Sequence, residues 1–223
     1  MIRLPFLKNR IKNAPQFYKE YASLFVNQKV QLLENTRYVV FDTETTGLDV
    51  RKDRILSIGA VSLTGNTIDV ADALEIYVQQ DVFNEESVAI HGILKHGKYY
   101  SISEEEAVKR FLAYIGNSVL VGHHVGFDVR MVNYALKRLG APKLKNQLLD
   151  TGILYKKTIH TVNMISQDKH YSLDELCADL KIEKSDRHKA SGDAYITAMA
   201  FLKIKSKLLK SGKFTKKELY KAR

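Results

Sequence analysis

The chain has 223 residues, 45% hydrophobic and 27% charged, enough for one well-buried soluble domain with appendages. No apolar run approaches the roughly 18 residues of a membrane span, and the N-terminus lacks the apolar segment of a secretory signal. The net charge of +10 is uneven: residues 1–37 carry seven Lys/Arg against two Glu, residues 203–223 carry nine against one, and residues 38–202 sum to −3. Basic ends on a slightly acidic body suit contact with a polyanion, most simply a nucleic-acid backbone; a solubilising tail or a docking device for a partner protein is the alternative. Cys177 is the only cysteine, which excludes an intrachain disulfide. Set among Leu173, Leu176 and Leu180, it reads as a buried, inert thiol in a reducing cytoplasm.

Residues 14–34 place Phe17, Tyr21, Leu24, Phe25, Val30 and Leu33 at helical spacing and predict a helix packed outside the main body. Strands are expected over 37–43, 54–63 and 67–79, the last two joined by a hairpin turn at Leu63-Thr64-Gly65-Asn66. Ser103 to Glu106 reads as a helix start, with Glu at the third helical position, and that helix runs to about residue 115. A buried strand follows at 119–121, then a helix over 127–139 ended by Gly140-Ala141-Pro142. Residues 147–150 form another strand end, Ser172 to Glu175 opens a helix to about residue 180, and the last helix runs from about residue 190 into the basic tail. Three strands followed by alternating helices and strands predict a mixed α/β sheet with helices on its faces.

Four acids and one histidine occupy positions where ligands gather in such sheets, at strand ends and helix starts. Asp42 and Glu44 end the run Tyr38-Val39-Val40-Phe41; two residues apart on a strand, they project from one face. Asp128 opens the helix after the 119–121 strand, and His188 and Asp193 flank the start of the last long helix. Paired carboxylates with no Lys or Arg beside them need cations. If the four converge, two divalent ions cancel their charge, and all-oxygen donors favour Mg²⁺ or Mn²⁺. Such a pair of ions supports phosphodiester hydrolysis, and the imidazole of His188, able to accept a proton, suits a general base. A lone Asp-x-Glu or His-x4-Asp is more often a solvated surface pair; the joint pattern carries the argument.

VVFDTETTGLD (39–49), VGHHVGFDVRMVNYAL (121–136) and HKASGDA (188–194) resemble the three motifs of the DnaQ-like DEDDh 3′→5′ exonucleases, which include the proofreading ε subunit of DNA polymerase III. The resemblance covers about residues 37–202. It implies an RNase H-like mixed sheet, three antiparallel strands and then parallel ones, flanked by helices. It implies that Asp42, Glu44, Asp128 and Asp193 bind two metal ions and that His188 is the base; Lys189 stands where a sister branch has Tyr. Thr45, Gly47 and Leu48 resemble the loop that holds the 3′-terminal nucleotide, His91 in Ala89-Ile90-His91-Gly92-Ile93 resembles the segment lining its base and sugar, and Phe127 joins this substrate-binding set. Asp150, in Leu149-Asp150-Thr151, is expected to be a structural acid beside the site. One departure is His124, where the family commonly has Asn. A metal site made by His123 and His124 is not expected, because neighbours on a strand point oppositely.

The resemblance therefore implies a metal-dependent exonuclease acting on the 3′ end of single-stranded nucleic acid, with DNA favoured in a proofreading or repair-like role and association with a DNA polymerase as a further implication. RNA trimming and a non-catalytic nucleic-acid-binding module are the alternatives. The expected organisation is a basic extension with a packed helix over 1–36, the exonuclease domain over 37–202, and a basic helix or tail over 203–223.

Overall fold

Along β1 (Arg37–Thr45), successive side chains enter different cores: Val39 and Phe41 join one cluster, Tyr38 and Val40 another. A strand buried on both faces belongs inside a sheet covered by helices on each side. The computed structural model describes residues 11–26, 33–82, 84–94, 99–159 and 169–220.

Helix α1 (Gln16–Ser23) precedes β1. Strands β2 (Ile55–Thr64) and β3 (Thr67–Val78) form an antiparallel hairpin at Gly65, whose φ of 60° suits a residue without Cβ. Helix α2 (Glu85–His91), strand β4 (Ser101–Ile102), helix α3 (Glu104–Ile115), strand β5 (Val119–Gly122) and helix α4 (Gly126–Arg138) follow. The chain continues through β6 (Leu148–Asp150), α5 (Thr151–Lys156), α6 (Leu173–Leu180), α7 (Ala190–Lys210) and α8 (Lys216–Tyr220). The sheet order is β4-β3-β2-β1-β5-β6. β1 to β3 are antiparallel, whereas β5 runs parallel to β1 and β6 parallel to β5, as expected. Two-residue β4, parallel to β3, was not predicted.

Helices α1, α3 and α4 cover the face bearing Val39 and Phe41, and α5 to α8 cover the face bearing Tyr38 and Val40. Two helix starts follow the sequence closely: Ser103 Oγ accepts from Glu106 N, and Ser172 and Glu175 form a reciprocal capping box. Cys177 is fully buried, as expected. Among the described residues, no helix is long and apolar enough to cross a membrane.

The last long helix runs into the basic C-terminal segment as expected, whereas the first helix is shorter than expected. The helix predicted over 14–34 ends at Ser23, whose hydroxyl donates to the Glu20 carbonyl (2.6 Å) and competes with the helical ladder. Val30 of that pattern lies outside the described residues, as do Arg3, Lys8, Arg10, Lys221 and Arg223 of the basic ends. Tyr18 and Tyr21 tie α1 to the loop after α4, donating to the Lys143 carbonyl (2.7 Å) and Asn146 Oδ1 (2.6 Å). At the other end, Leu208, Phe214 and Leu219 are core residues, and the ammonium groups of Lys203 and Lys205 cap the carbonyls of Leu180 and Gly65. The described part of 203–220 is thus packed structure.

Candidate active site

The end of β1 and the start of α7 bring three carboxylates together. Asp42, Glu44 and Asp193 each place an oxygen within 4.8 Å of the others. Strand alternation sends Asp42 and Glu44 toward the face covered by α7, the side already occupied by Tyr38 and Val40. The approach of α7 depends on Gly59 of β2, the register partner of Asp42. A Cβ there would lie 2.1 Å from the Ala190 carbonyl carbon and the Ser191 nitrogen, so only glycine admits the helix start.

Asp128 stands beside this cluster and not inside it. From the first turn of α4 it accepts hydrogen bonds from Thr43 N (3.1 Å) and Thr43 Oγ1 (2.7 Å), which fixes it against the strand between Asp42 and Glu44. Burial raises the Asp42 pKa well above the usual carboxylate range, and the charges of Asp128, Glu44 and Asp193 add to the rise. Burial, followed by Asp193 and Asp128, raises Glu44 to about 7. Asp128 also reaches about 7 through burial, opposed by its bonds from Thr43.

The expectation that these acids have no basic neighbour is corrected. Arg187 hydrogen-bonds Asp193 Oδ1 through its Nη1 and Asp174 Oδ1 through its Nε (3.2 Å), with a side chain 19% exposed. Its signal in the sequence was adjacency to His188. His188 itself is exposed, in left-handed backbone (φ 62°); its N–H bonds Asp193 Oδ2 (3.2 Å), and its ring makes no hydrogen bond among the described residues. Three gathered carboxylates, with Asp128 beside them, form a set of oxygen donors that fits hard divalent cations.

The loop after β1 lies at the same end. Asp53 accepts from Thr46 Oγ1 (2.8 Å) and Asp49 N (2.8 Å), and a Cβ on Gly47 would lie 2.6 Å from the Asp53 carboxylate. Gly47 therefore leaves room for this brace. Thr45 Oγ1 donates to the Gly47 carbonyl (2.7 Å), and Leu48 is 83% exposed. His91 closes α2 beside the Thr45 backbone; its Nδ1 accepts from Ile93 N (3.0 Å) and burial lowers its pKa. Phe127 is half-buried against the first core.

Asp150 is structural as expected: it accepts from Val125 N (3.0 Å) and Ile153 N (3.1 Å), tying the start of α4 to that of α5. The geometry assumed for His123 and His124 is corrected. Both follow the end of β5, His124 adopts φ 56°, and the two rings lie 4.3 Å apart. His, like Asn, tolerates this left-handed backbone, which accounts for its fit at the departure from the family pattern. His123 Nδ1 bonds Thr151 Oγ1 (2.9 Å), and burial lowers its pKa to about 4. Neither joins a metal-ligating cluster among the described residues.

A protein-family profile, RNase T, described as Exonuclease, matches residues 39–201. DNA polymerase III PolC-type of Thermotoga petrophila is 32% identical over 180 residues, 80% of this chain and 12% of that protein. DNA polymerase III subunit epsilon of Aquifex aeolicus is 31% identical over 178 residues, 79% of this chain and 84% of that protein. The chain thus spans about an eighth of the PolC-type relatives it matches. Among solved structures, E. coli exonuclease I in complex with a dT13 oligonucleotide superposes with a TM-score of 0.66 at 18% identity, covering 80% of this chain and 43% of that one. Exonuclease X in complex with 5′ overhanging duplex DNA gives 0.59 at 22% identity, covering 82% and 96%. The sheet is the RNase H-like mixed sheet expected from the sequence.

Proposed function

The chain belongs to the exonuclease family, and from that premise we propose that it is a divalent-metal-dependent 3′→5′ exonuclease that releases nucleoside 5′-monophosphates from single-stranded DNA. The observation that carries the reading is the convergence of Asp42, Glu44 and Asp193 within 4.8 Å, from two elements more than 140 residues apart in the chain. DNA is favoured over RNA because relatives and structural neighbours carry DNA in their names: a DNA polymerase III subunit, an oligothymidylate complex and a duplex with an overhang. Association with a DNA polymerase belongs to the same proposal.

Asp42, Glu44 and Asp193 would hold the ions, with Asp128 completing the set from its place against Thr43. When bound, two Mg²⁺ or Mn²⁺ ions supply positive charge that balances the carboxylates and stabilises charge growing at the scissile phosphate. Binding such ions requires the acids deprotonated and the Arg187 guanidinium drawn away from Asp193. His188, exposed at the lip of the cluster, takes the proton of the attacking water. Thr45 and Gly47 position the terminal nucleotide, and Leu48, His91 and Phe127 line its base and sugar. Packing of the base on Leu48 and Phe127 tolerates any base.

The test is digestion of a 5′-labelled DNA oligomer beside its RNA counterpart, with Mg²⁺, Mn²⁺ or EDTA. A ladder shortening from the 3′ end, lost in EDTA and in Asp42→Asn, is the expected result. His188→Ala should lower the rate about 10²–10⁴-fold. Full activity in Asp42→Asn, or faster digestion of RNA than of DNA, would overturn the corresponding part of the proposal.

A further inference from the structure

We propose that the outer face of α4, together with the loop after β1, forms a second nucleic-acid contact that holds the sugar–phosphate backbone of the substrate strand away from its reacting end. It rests on the exonuclease reading above. A cleft of about 650 Å³ is lined by Arg51, Arg54, Tyr134, Lys137 and Arg138. A neighbouring cavity of about 780 Å³ shares Tyr134 and Lys137 and adds Lys143 and Lys145. Six cations thus line two pockets that share Tyr134 and Lys137, in a region, 38–202, whose net charge is −3. The clustering is not a by-product of overall basicity.

Few of these cations are neutralised. Arg138 pairs with Glu104 (2.5 Å), and Arg54 Nη1 donates to the carbonyls of Lys52 (2.5 Å) and Asp53 (3.1 Å). No ion pair among the described residues involves Arg51, Arg54, Lys137, Lys143 or Lys145. Lys137 holds its ammonium 5.7 Å from the centroid of the half-buried Tyr134 ring. Unpaired cations beside an aromatic face suit a flexible polyphosphate chain, which presents one charge and one stackable base per unit.

The groove connects to the candidate active site along two paths. The loop that braces Gly47 and Leu48 carries Arg51 and Arg54 only a few residues further on. Helix α4 begins at the site with Phe127 and Asp128, and Arg130, Tyr134 and Lys137 recur along it at helical spacing on one face. At 1.5 Å per residue, Tyr134 and Lys137 lie roughly 9 and 14 Å along the axis from Asp128. That reach corresponds to nucleotides beyond the terminal one.

The experiment uses a 5′-fluorescein dT20 oligomer, bound in EDTA so that nothing is cleaved, with anisotropy read from low to moderate salt. The Arg51→Gln/Lys137→Gln protein should melt like the wild type, bind roughly tenfold more weakly at low salt, and lower the slope of log K against log salt by about 1.4, twice the single-strand value per phosphate contact. Unchanged affinity and slope overturn the proposal, as does an oligomer that the wild type does not bind. Intact oligomer binding by the double variant, with binding to polyglutamate lost, assigns the groove to an acidic polypeptide and also overturns it. Failure of the exonuclease reading is distinguishable: the wild type would then release no nucleotide from the oligomer with Mg²⁺ or Mn²⁺, whatever the groove does to affinity.

Discussion

Arg187 holds one oxygen of the Asp193 carboxylate, while the backbone N–H of His188 holds the other (3.2 Å). Both donors come from the turn that leads into α7, so the last acid of the cluster is fixed by the same short segment that carries the candidate base. The guanidinium also spans to Asp174 of α6 (3.2 Å), which locks the turn to the helical layer. Arg187 thus supplies a counter-charge to the cluster.

Arg187→Met removes that counter-charge. Like charges about 4 Å apart repel by roughly 4 kcal/mol at an effective dielectric near 20. The pair is mostly buried, and breaking it costs up to about 3–5 kcal/mol where burial is complete. With Arg187 19% and Asp193 9% exposed, a loss of about 2 kcal/mol in EDTA is expected. Added Mg²⁺ should then raise the melting temperature more in the variant than in the wild type. A variant as stable as the wild type in EDTA would show that the pair carries no stability.

Glu44 gives a pH signature with a definite sign. Its folded-state pKa is raised to about 7, above the ~4.3 of an unfolded chain, so the folded metal-free protein favours the protonated acid. Stability from this source is complete below about pH 4 and is lost as pH climbs through about 7. Glu44→Gln should therefore melt with the wild type at pH 4 and several degrees above it at pH 8, both in EDTA. Melting curves that differ equally at the two pH values would remove burial of Glu44 as the cause.

The acids were readable because they sit on β1, where a run buried on both faces announces a strand and alternation fixes the direction of Asp42 and Glu44. The start of α7 was equally plain from its apolar pattern. What escaped depends on contacts between distant segments. Arg187 faces Asp193 only because the turn before α7 takes left-handed backbone at Asp186 and His188, which no local pattern announces. The rings of His123 and His124 meet because the chain leaves β5 before them, so strand alternation no longer applies. Short α2 and α5 lack the two turns that a helical period needs to show. The pattern over 14–34 misled because Leu24, 47% exposed, and Phe25 continue the apolar spacing past Ser23, where the helix ends.

Gly59→Ala should displace the site without touching an acid. The new methyl would meet the backbone of Ala190 and Ser191 at 2.1 Å, and neither backbone segment can rotate away as a side chain would. Overpacking costs typically about 1–3 kcal/mol, here at the upper end. The start of α7 must shift from Asp42, so activity should fall more than the melting temperature alone accounts for. Titrating Mn²⁺ into the variant would expose this as weakened ion binding; wild-type affinity would mean that the helix start accommodates a methyl.

Thr43→Val isolates the support of Asp128. The hydroxyl donates to Asp128 Oδ1 at 2.7 Å and lowers the carboxyl pKa, against the burial that raises it to about 7. Valine keeps the shape of the side chain and the backbone N–H bond (3.1 Å) but removes the hydroxyl donor. A hydrogen bond to a charged group contributes about 1.5–3 kcal/mol, so the Asp128 pKa should move upward by one unit or more. The acid limb of the pH–rate profile should shift the same way, toward higher pH, with activity recovering at alkaline pH. A uniform loss of rate with an unmoved acid limb would assign Thr43 a packing role and leave the ionisation of Asp128 to burial alone.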